Sequence, residues 1–326
     1  MGKDSEIILA ADIGGTRARF ALFKAAGERH PVGPVRRTEL ETARHASFGE
    51  LVRAGLEGLA RQGSASSAPS VAVLAVPGPV ERGRFCSPPN IAYDMDLDML
   101  PVGLLPARSM LINDFAAQAH GCRLFGQDRS QEVLTGAMDP SLTQAVLGPG
   151  TGLGKAALVP DGRGGYVVCG SEGGHAAFPF NAPEERRFQD VVLEAMGEPY
   201  VRWEGVVSGQ GLALLHRFLT GHAVSPAEAE ATLDASSSVC GWFARLLGRA
   251  CRDYVLEVMA TGGLFISGGV AARNPVLLKH PEFTKEFRLS ATHARLLGSV
   301  PVRLVCDQDV GLWGAAALGA AQRAAR

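Results

Sequence analysis

One stretch near the start of the chain, Leu9–Phe23 (LAADIGGTRARFALF), returns in outline as Ala145–Val159 (AVLGPGTGLGKAALV), with Thr151 standing 135 positions after Thr16. Each reads as an apolar strand, a glycine turn holding a threonine, and a second strand. A chain that repeats such a unit is expected to fold as two halves with similar hairpins. At 326 residues it is also long enough for two domains. Strand-length apolar runs occur at Ile7–Ile13, Arg19–Phe23, Val71–Val76, Met110–Ile112, Ala145–Leu147, Leu264–Ile266 and Val302–Val305. They alternate with helical patterns at Ser47–Arg61 and Ser236–Met259, which predicts α/β layers with helices covering sheets. Gln62–Ser70 reads as a loop and Gly162–Gly165 as a hairpin-like turn, both too short to link domains.

The glycine content fits this picture. Forty glycines are about 12% of the chain against roughly 7% in an average protein, with no collagen-like or low-complexity period, so tight turns near a ligand are expected. Charge is balanced, 32 Lys+Arg against 33 Asp+Glu, and no global field draws the protein to nucleic acid or an anionic membrane. The start, MGKDSEIILAAD, stops its apolar run at Asp12, far short of a signal-peptide core, and Glu6 stands where a myristoylation pattern wants Ser or Thr. No apolar run reaches the 18 residues of a membrane span. The six cysteines are scattered without a CxxC pair, which predicts reduced thiols in the cytoplasm.

The glycine turns place backbone N–H groups where they can converge on an anion, and Thr16 and Thr151 each add a hydroxyl. Leu264–Asn274 (LFISGGVAARN) is a third such place, a strand, a Gly268-Gly269 turn and a helix start. Neither standard nucleotide pattern fits: Pro149 and Ala156 break the Walker spacing, and Leu153 breaks GxGxxG. Met110–Gln118 (MLINDFAAQ) ends a strand on Asn113-Asp114 as a helix begins. Asp114 there is a candidate base for a hydroxyl nucleophile, and either residue is also a candidate helix cap. In Cys169–His175 (CGSEGGH), Gly173-Gly174 disfavours a helix and no second Glu-x-x-His exists, so metal ligation is not expected. A glycine loop presenting Glu172 and His175 as acceptor and donor for vicinal hydroxyls suits a sugar. Glu204 stands beside Trp203, just ahead of a helix start at Ser208-Gly209.

Taken together and in this order, DIGGT, Asn113-Asp114, GPGTGLG, SEGGH, the Glu204 segment and SGGV span nearly the whole chain. The set resembles the bacterial ATP-dependent glucokinase family of the sugar kinase, heat-shock protein and actin superfamily. The resemblance implies a two-domain, actin-like ATPase (ribonuclease H-like) α/β fold with ligands in the interdomain cleft. The small domain would be 1–122 plus 307–326, including a returning helix Gly311–Arg323, and the large domain 123–306. It implies phosphorylation of glucose to glucose 6-phosphate by ATP, the first step of glycolysis, in a cytoplasmic homodimer. By the same resemblance Asp12, Gly14, Gly15 and Thr16, with Gly150, Thr151 and Gly152, would hold ATP phosphates, and Gly268 and Gly269 the adenosine. Asp114 would be the catalytic base, and Asn113, Glu172, His175 and Glu204 would bind glucose hydroxyls. No tight protein metal site is implied; Mg2+ would arrive with ATP, near Asp12, and the zinc motif of the ROK sugar kinases is absent.

Two places depart from the family pattern. Arg17 replaces the asparagine usual in GGTN, where it would strengthen phosphate binding or turn outward. Ser87–Tyr93 (SPPNIAY) keeps Asn90 but has Pro89 for a threonine and Tyr93 near a usual tryptophan, in a loop that lies near the sugar in relatives. A kinase for another hexose, such as mannose or fructose, and a non-catalytic sugar-sensing regulator are the alternative readings. Against the regulator stand the intact Asn113-Asp114 pair and the lack of a helix-turn-helix segment before Ile7.

Overall fold

The structure, a computed structural model, describes residues 7–26, 30–63 and 68–324. The start Met1–Glu6 and part of the Gln62–Ser70 loop therefore lie outside the described residues. The chain divides into two compact units, the first running to Leu124 and taking in the chain again from Asp309, the second spanning Phe125–Gln308.

In the first unit β1 (Ile7–Ile13), β2 (Arg17–Ala26), β3 (His30–Glu41), β4 (Pro69–Val76) and β7 (Ser109–Asn113) form one sheet in the order β3-β2-β1-β4-β7. A ribbon of β5 (Phe85–Cys86) and β6 (Met95–Asp96) stands beside it in sequence. Strand side chains alternate between faces, and here both faces are covered, which is why β1 is apolar without a break from Ile7 to Ala11. Leu9, Ala11 and Ile13 pack with Phe48, Leu51 and Val52 of helix α1 (Phe48–Ala60). Ile8 and Ala10 pack with Leu312, Ala315 and Ala316 of the C-terminal helix Val310–Ala324. Helix α1 starts where Ser47 Oγ accepts the Glu50 N–H at 3.2 Å.

The second unit repeats the plan. Its strands are β8 (Gln131–Leu134), β9 (Gln144–Pro149), β10 (Leu153–Pro160), β11 (Tyr166–Ser171), β12 (Gly263–Ile266) and β13 (Val302–Leu304), in the order β11-β10-β9-β12-β13-β8. In each sheet three antiparallel strands, β3-β2-β1 or β11-β10-β9, are followed by two parallel ones, β4-β7 or β12-β13. The echo in the sequence is thus one hairpin of a repeated sheet. The long helix Ser238–Glu257 buries Val239, Phe243, Leu246, Leu247 and Val255, and Ser237 caps it. Arg249 lies buried between Glu185, at 2.8 and 2.9 Å, and Glu286 at 2.8 Å, so this buried charge is met on both sides.

Two strands escape the apolar pattern. β3 contains Pro31, Pro34, Arg36 and Arg37, and its register against β2 shifts twice near Phe23; an edge strand tolerates both. β11 is likewise an edge strand. It overlaps the expected Cys169–His175 glycine loop, of which only Glu172 onward leaves the sheet, and Gly173–His175 form one 3-10 turn. Among the described residues no helix is long and apolar enough to cross a membrane.

Candidate active site

In the first unit the parallel strands β1, β4 and β7 deliver their carboxyl ends to one edge of the sheet, the edge where open α/β sheets bind ligands. Asp12 lies opposite Ala75 of β4, and Asn113 opposite Val76. The turn after β1 is pinned from within by the Gly14 N–H donating to the Arg17 carbonyl at 2.8 Å. It is pinned from just past the end of β3 by Thr42, whose hydroxyl donates to the Gly14 carbonyl at 2.7 Å and whose N–H donates to the Thr16 carbonyl at 3.0 Å. Gly15 and Thr16 are exposed at its tip. Burial pushes the Asp12 carboxyl up to about 6, against the pull of Arg19 at 3.6 Å and with the push of Asp309. The returning helix begins beside it, since a methyl group on Gly311 would stand 3.1 Å from Asp12 Oδ2.

Asn113 and Asp114 divide two tasks. Asn113 Oδ1 accepts the N–H groups of Phe115 and Ala116 at 2.9 and 3.1 Å, so Asn113 is the cap of helix α2 (Asp114–Phe125). Its Nδ2 donates to the Gly78 carbonyl at 3.1 Å, tying the end of β7 to the loop after β4. Asp114 opens the helix with Oδ1 accepting the Phe115 N–H at 2.8 Å, where the helix dipole favours a carboxylate. The Ser87–Tyr93 loop reaches the same edge: a methyl on Gly15 would stand 3.4 Å from the Asn90 carbonyl oxygen, and Pro89 lies against Gly78.

In the second unit the carboxyl ends of β9 and β12 gather another set. The Pro149–Gly152 turn is closed by the Gly150 N–H donating to the Gly152 carbonyl at 2.8 Å, and the Gly209 N–H donates to the Gly150 carbonyl at 2.9 Å. The helix Gly209–Thr220 therefore starts against this turn, capped by Ser208. Gly268 has φ +97°, and a side chain there would meet the Pro149 carbonyl at 2.7 Å, so glycine is required twice over.

Glu172, His175 and Glu204 are brought together by a residue for which the sequence carries no signal beyond its adjacency, Arg202. Its guanidinium is held by Glu198 at 2.6 and 2.7 Å and by Glu204, and it donates to His175 Nδ1 at 2.7 Å. Because a guanidinium only donates, Nδ1 must accept and the ring proton belongs on Nε2, the nitrogen 3.6 Å from Glu172. Glu204 stands ahead of the helix that starts at Ser208-Gly209, as its sequence suggests, and itself lies inside a short helical turn, Trp203–Val206. Its carboxylate fills the space a side chain at Gly152 would need, 2.5 Å from the position of a methyl group. Asp12, Asn113 and Asp114 are thus gathered in one unit, and Gly150–Gly152, Glu172, His175, Glu204 and Gly268–Gly269 in the other. Arg17, open to either role in the sequence, points to Glu39 at 2.7 Å and is largely exposed. Among the described residues no group of three or more His, Cys, Asp or Glu side chains is placed to hold a metal ion.

Comparison with known proteins places this geometry. The family profile described as Glucokinase matches residues 9–322. The chain belongs to the glucokinase family. A relative named glucokinase from Synechocystis is 30% identical, with 98% of this chain and 99% of that protein aligned. The crystal structure of a glucokinase from an Antarctic psychrotroph, 30% identical, superposes with a TM-score of 0.76 over 96% of this chain and 98% of that one. The Balamuthia mandrillaris glucokinase, solved with glucose and 20% identical, superposes with a TM-score of 0.79 over 97% of this chain and 94% of its own. The fold of the family, the actin-like ATPase fold, accounts for the two sheets of one plan.

Proposed function

We propose that the chain transfers the terminal phosphoryl group of ATP to the 6-hydroxyl of glucose, giving ADP and glucose 6-phosphate. The observation that carries the reading is Gly152: the glycine turn suited to phosphate and the carboxylate suited to a hydroxyl meet there without room for one extra carbon. Phosphoryl transfer needs that adjacency, because catalysis of a loose transition state is mostly positioning and charge stabilisation. Around it, Glu172 and Glu204 supply acceptors and His175 Nε2 a donor, a set that matches vicinal hydroxyls.

In this reading Asp114 accepts the hydroxyl proton as the sugar oxygen bonds to phosphorus and the bond to the ADP oxygen breaks. The Phe115 N–H holds one carboxylate oxygen in place at the helix N-terminus. Asn113 acts at one remove, as the cap that fixes where the helix and Asp114 begin. Asp12 suits a hydrated divalent cation, since burial makes its negative charge costly and Arg19 at 3.6 Å meets it only in part. Mg2+ brought there with the nucleotide would neutralise charge on the transferring group. Magnesium as the nucleotide's ion, a homodimeric assembly and a cytoplasmic place of action belong to the same proposal, supported by membership of the family.

The test is sugar-dependent ADP release by the purified protein with glucose, mannose, fructose, N-acetylglucosamine or no sugar. Release with glucose above all others is expected. Release greatest with another hexose would move the substrate and point to the Ser87–Tyr93 loop; no release from folded protein would overturn the reading.

A further inference from the structure

Lys155 follows the Gly150–Gly154 run and is the one buried lysine among the described residues, about 1% exposed. It sits on β10 opposite Leu147 of β9 and Ser171 of β11. Its ammonium lies 5.1 Å from the ring centres of both Trp203 and Tyr254, within cation–π range, and 4.0 Å from Glu257 Oε2. Glu257 is itself half exposed. The side chain also runs beneath Gly173, where a methyl group would stand 3.4 Å from Cδ and 3.6 Å from Nζ. Burial lowers the ammonium pKa, with Glu257 and Asp253 opposing it. A charge in this place is costly, and a methionine would fill the same volume without that cost.

The two contacts of this one side chain fall at the base of the two turns that carry the sugar readers. Gly173 and Gly174 separate Glu172 from His175, and Trp203 separates Arg202 from Glu204. The indole is wedged between the ammonium and Phe178, whose ring centre is 4.6 Å away. We propose that Lys155 is a positioning residue for the sugar, its ammonium holding the Glu172–His175 turn and the Trp203–Glu204 turn at the separation that neighbouring hydroxyls of a hexose require. The inference rests on the glucose reading of that site. A cation suits the task because it draws the aromatic face and its own stem toward a fixed point, whereas an apolar filler leaves both turns free to relax apart.

The test compares wild type, Lys155→Met and Lys155→Arg by calorimetric titration with glucose and with ADP, and by steady-state kinetics. In a folded Lys155→Met protein the Kd and KM for glucose rise about 3- to 30-fold, the range of a desolvated cation–π contact. The KM for ATP and kcat stay within about twofold, and Lys155→Arg, which keeps the charge, recovers part of the glucose affinity. A purely structural lysine would instead move both substrates' KM values together and lower kcat. Should Lys155→Met fail to fold, Glu257→Gln removes the carboxylate beside the ammonium from an exposed position, and glucose KM alone should rise about 2- to 5-fold. An unchanged glucose KM in the folded variant overturns the inference while leaving the kinase reading intact. Wild type that binds no glucose overturns both.

Discussion

In the first unit the strand entering the glycine turn carries a partly buried carboxylate, Asp12, one residue before its end, whereas in the second the strand leaving the turn carries a buried ammonium, Lys155. The hairpins around them share strand order, direction and a threonine at the tip. The position that Asp12 takes in β1 falls to Leu147 in β9, and that of Lys155 falls to Phe20 in β2. One backbone plan therefore supplies two anion-suited turns, and the residues that do not repeat set what each half contributes. The acidic half carries Asp12 and the strand-end Asp114, which the proposed function assigns to cation and proton handling. The half with the lysine carries Glu172, His175 and Glu204, which it assigns to reading hydroxyls.

The sharpest way to break this division is to disable the acidic half alone. Asp114→Asn keeps the helix start, because Asn113 is the cap, and should lower kcat by about 10²- to 10⁴-fold while glucose binding by calorimetry stays within about twofold. A variant turning over at a near-normal rate would remove Asp114 from the role of base.

The two halves should also differ in acid. Asp12 has a folded pKa raised from 3.8 to about 6, so its contribution to stability is present below 3.8 and lost as pH rises through 6. His120, in helix α2, has a folded pKa lowered from 6.5 to about 4 by burial, so its contribution is present above 6.5 and lost as pH falls through 4. Each shift is worth about 3 kcal/mol, and over the acidic range they oppose one another. Asp12→Asn removes one side of that balance. Without nucleotide the variant should be more stable than wild type at pH 7 by up to about 3 kcal/mol in urea unfolding, and should lose that advantage between pH 7 and 4. In the second unit burial raises Glu185, but its hydrogen bonds to Arg249 bring it below 4.5, so loss of that network begins only in stronger acid. Equal pH slopes for wild type and Asp12→Asn would show that Asp12 is not the strained group of the first unit.

How much of this was legible in the sequence follows from burial. β1, β4 and β9 are covered on both faces and read as apolar runs, matched in full at Ile7–Ile13 and to within two residues at the other two. β3 could not, because an edge strand with prolines and arginines has no alternation to read, and the edge strand β11 runs into a stretch, Cys169–Ser171, that reads as the start of a glycine loop. The strand-end carboxamide and carboxylate were visible, but only the hydrogen bonds assign the cap to Asn113. Arg202 and Lys155 were missed for different reasons. Arg202 gains its role from a backbone bridge between Ala177 and its own residue that brings His175 within reach. Lysine is so seldom buried that a strand lysine reads as surface.

A methyl group distinguishes the two turns directly. On Gly152 it stands 2.5 Å from Glu204 Oε2, and on Gly15 it stands 3.4 Å from the Asn90 carbonyl, an ordinary contact. Glu204 can swing away, so Gly152→Ala should fold normally, but a displaced carboxylate no longer meets the sugar, and glucose KM should rise about 10-fold. Gly15→Ala should change either KM by less than about twofold. Equal effects at the two glycines would mean that the turns are not specialised as the packing implies.

The smallest effect is expected where the family pattern is most visibly broken. Arg17 stands beside the Gly14–Thr16 turn, yet its guanidinium is largely exposed and spends itself on Glu39 at 2.7 Å, a carboxylate that also faces Arg19 and Arg37. That hydrogen bond holds Glu39 below its ordinary pKa and directs Arg17 along the sheet rather than over Gly15. Exposed pairs of this kind contribute about 0–1 kcal/mol. Arg17→Asn, which restores the residue usual in the family, should therefore leave the KM for ATP within about twofold and stability within about 0.5 kcal/mol. A rise in that KM of tenfold or more, steepening at low salt, would show that Arg17 leaves Glu39 for the nucleotide, and the first turn would then hold phosphate by a side chain where the second relies on backbone alone.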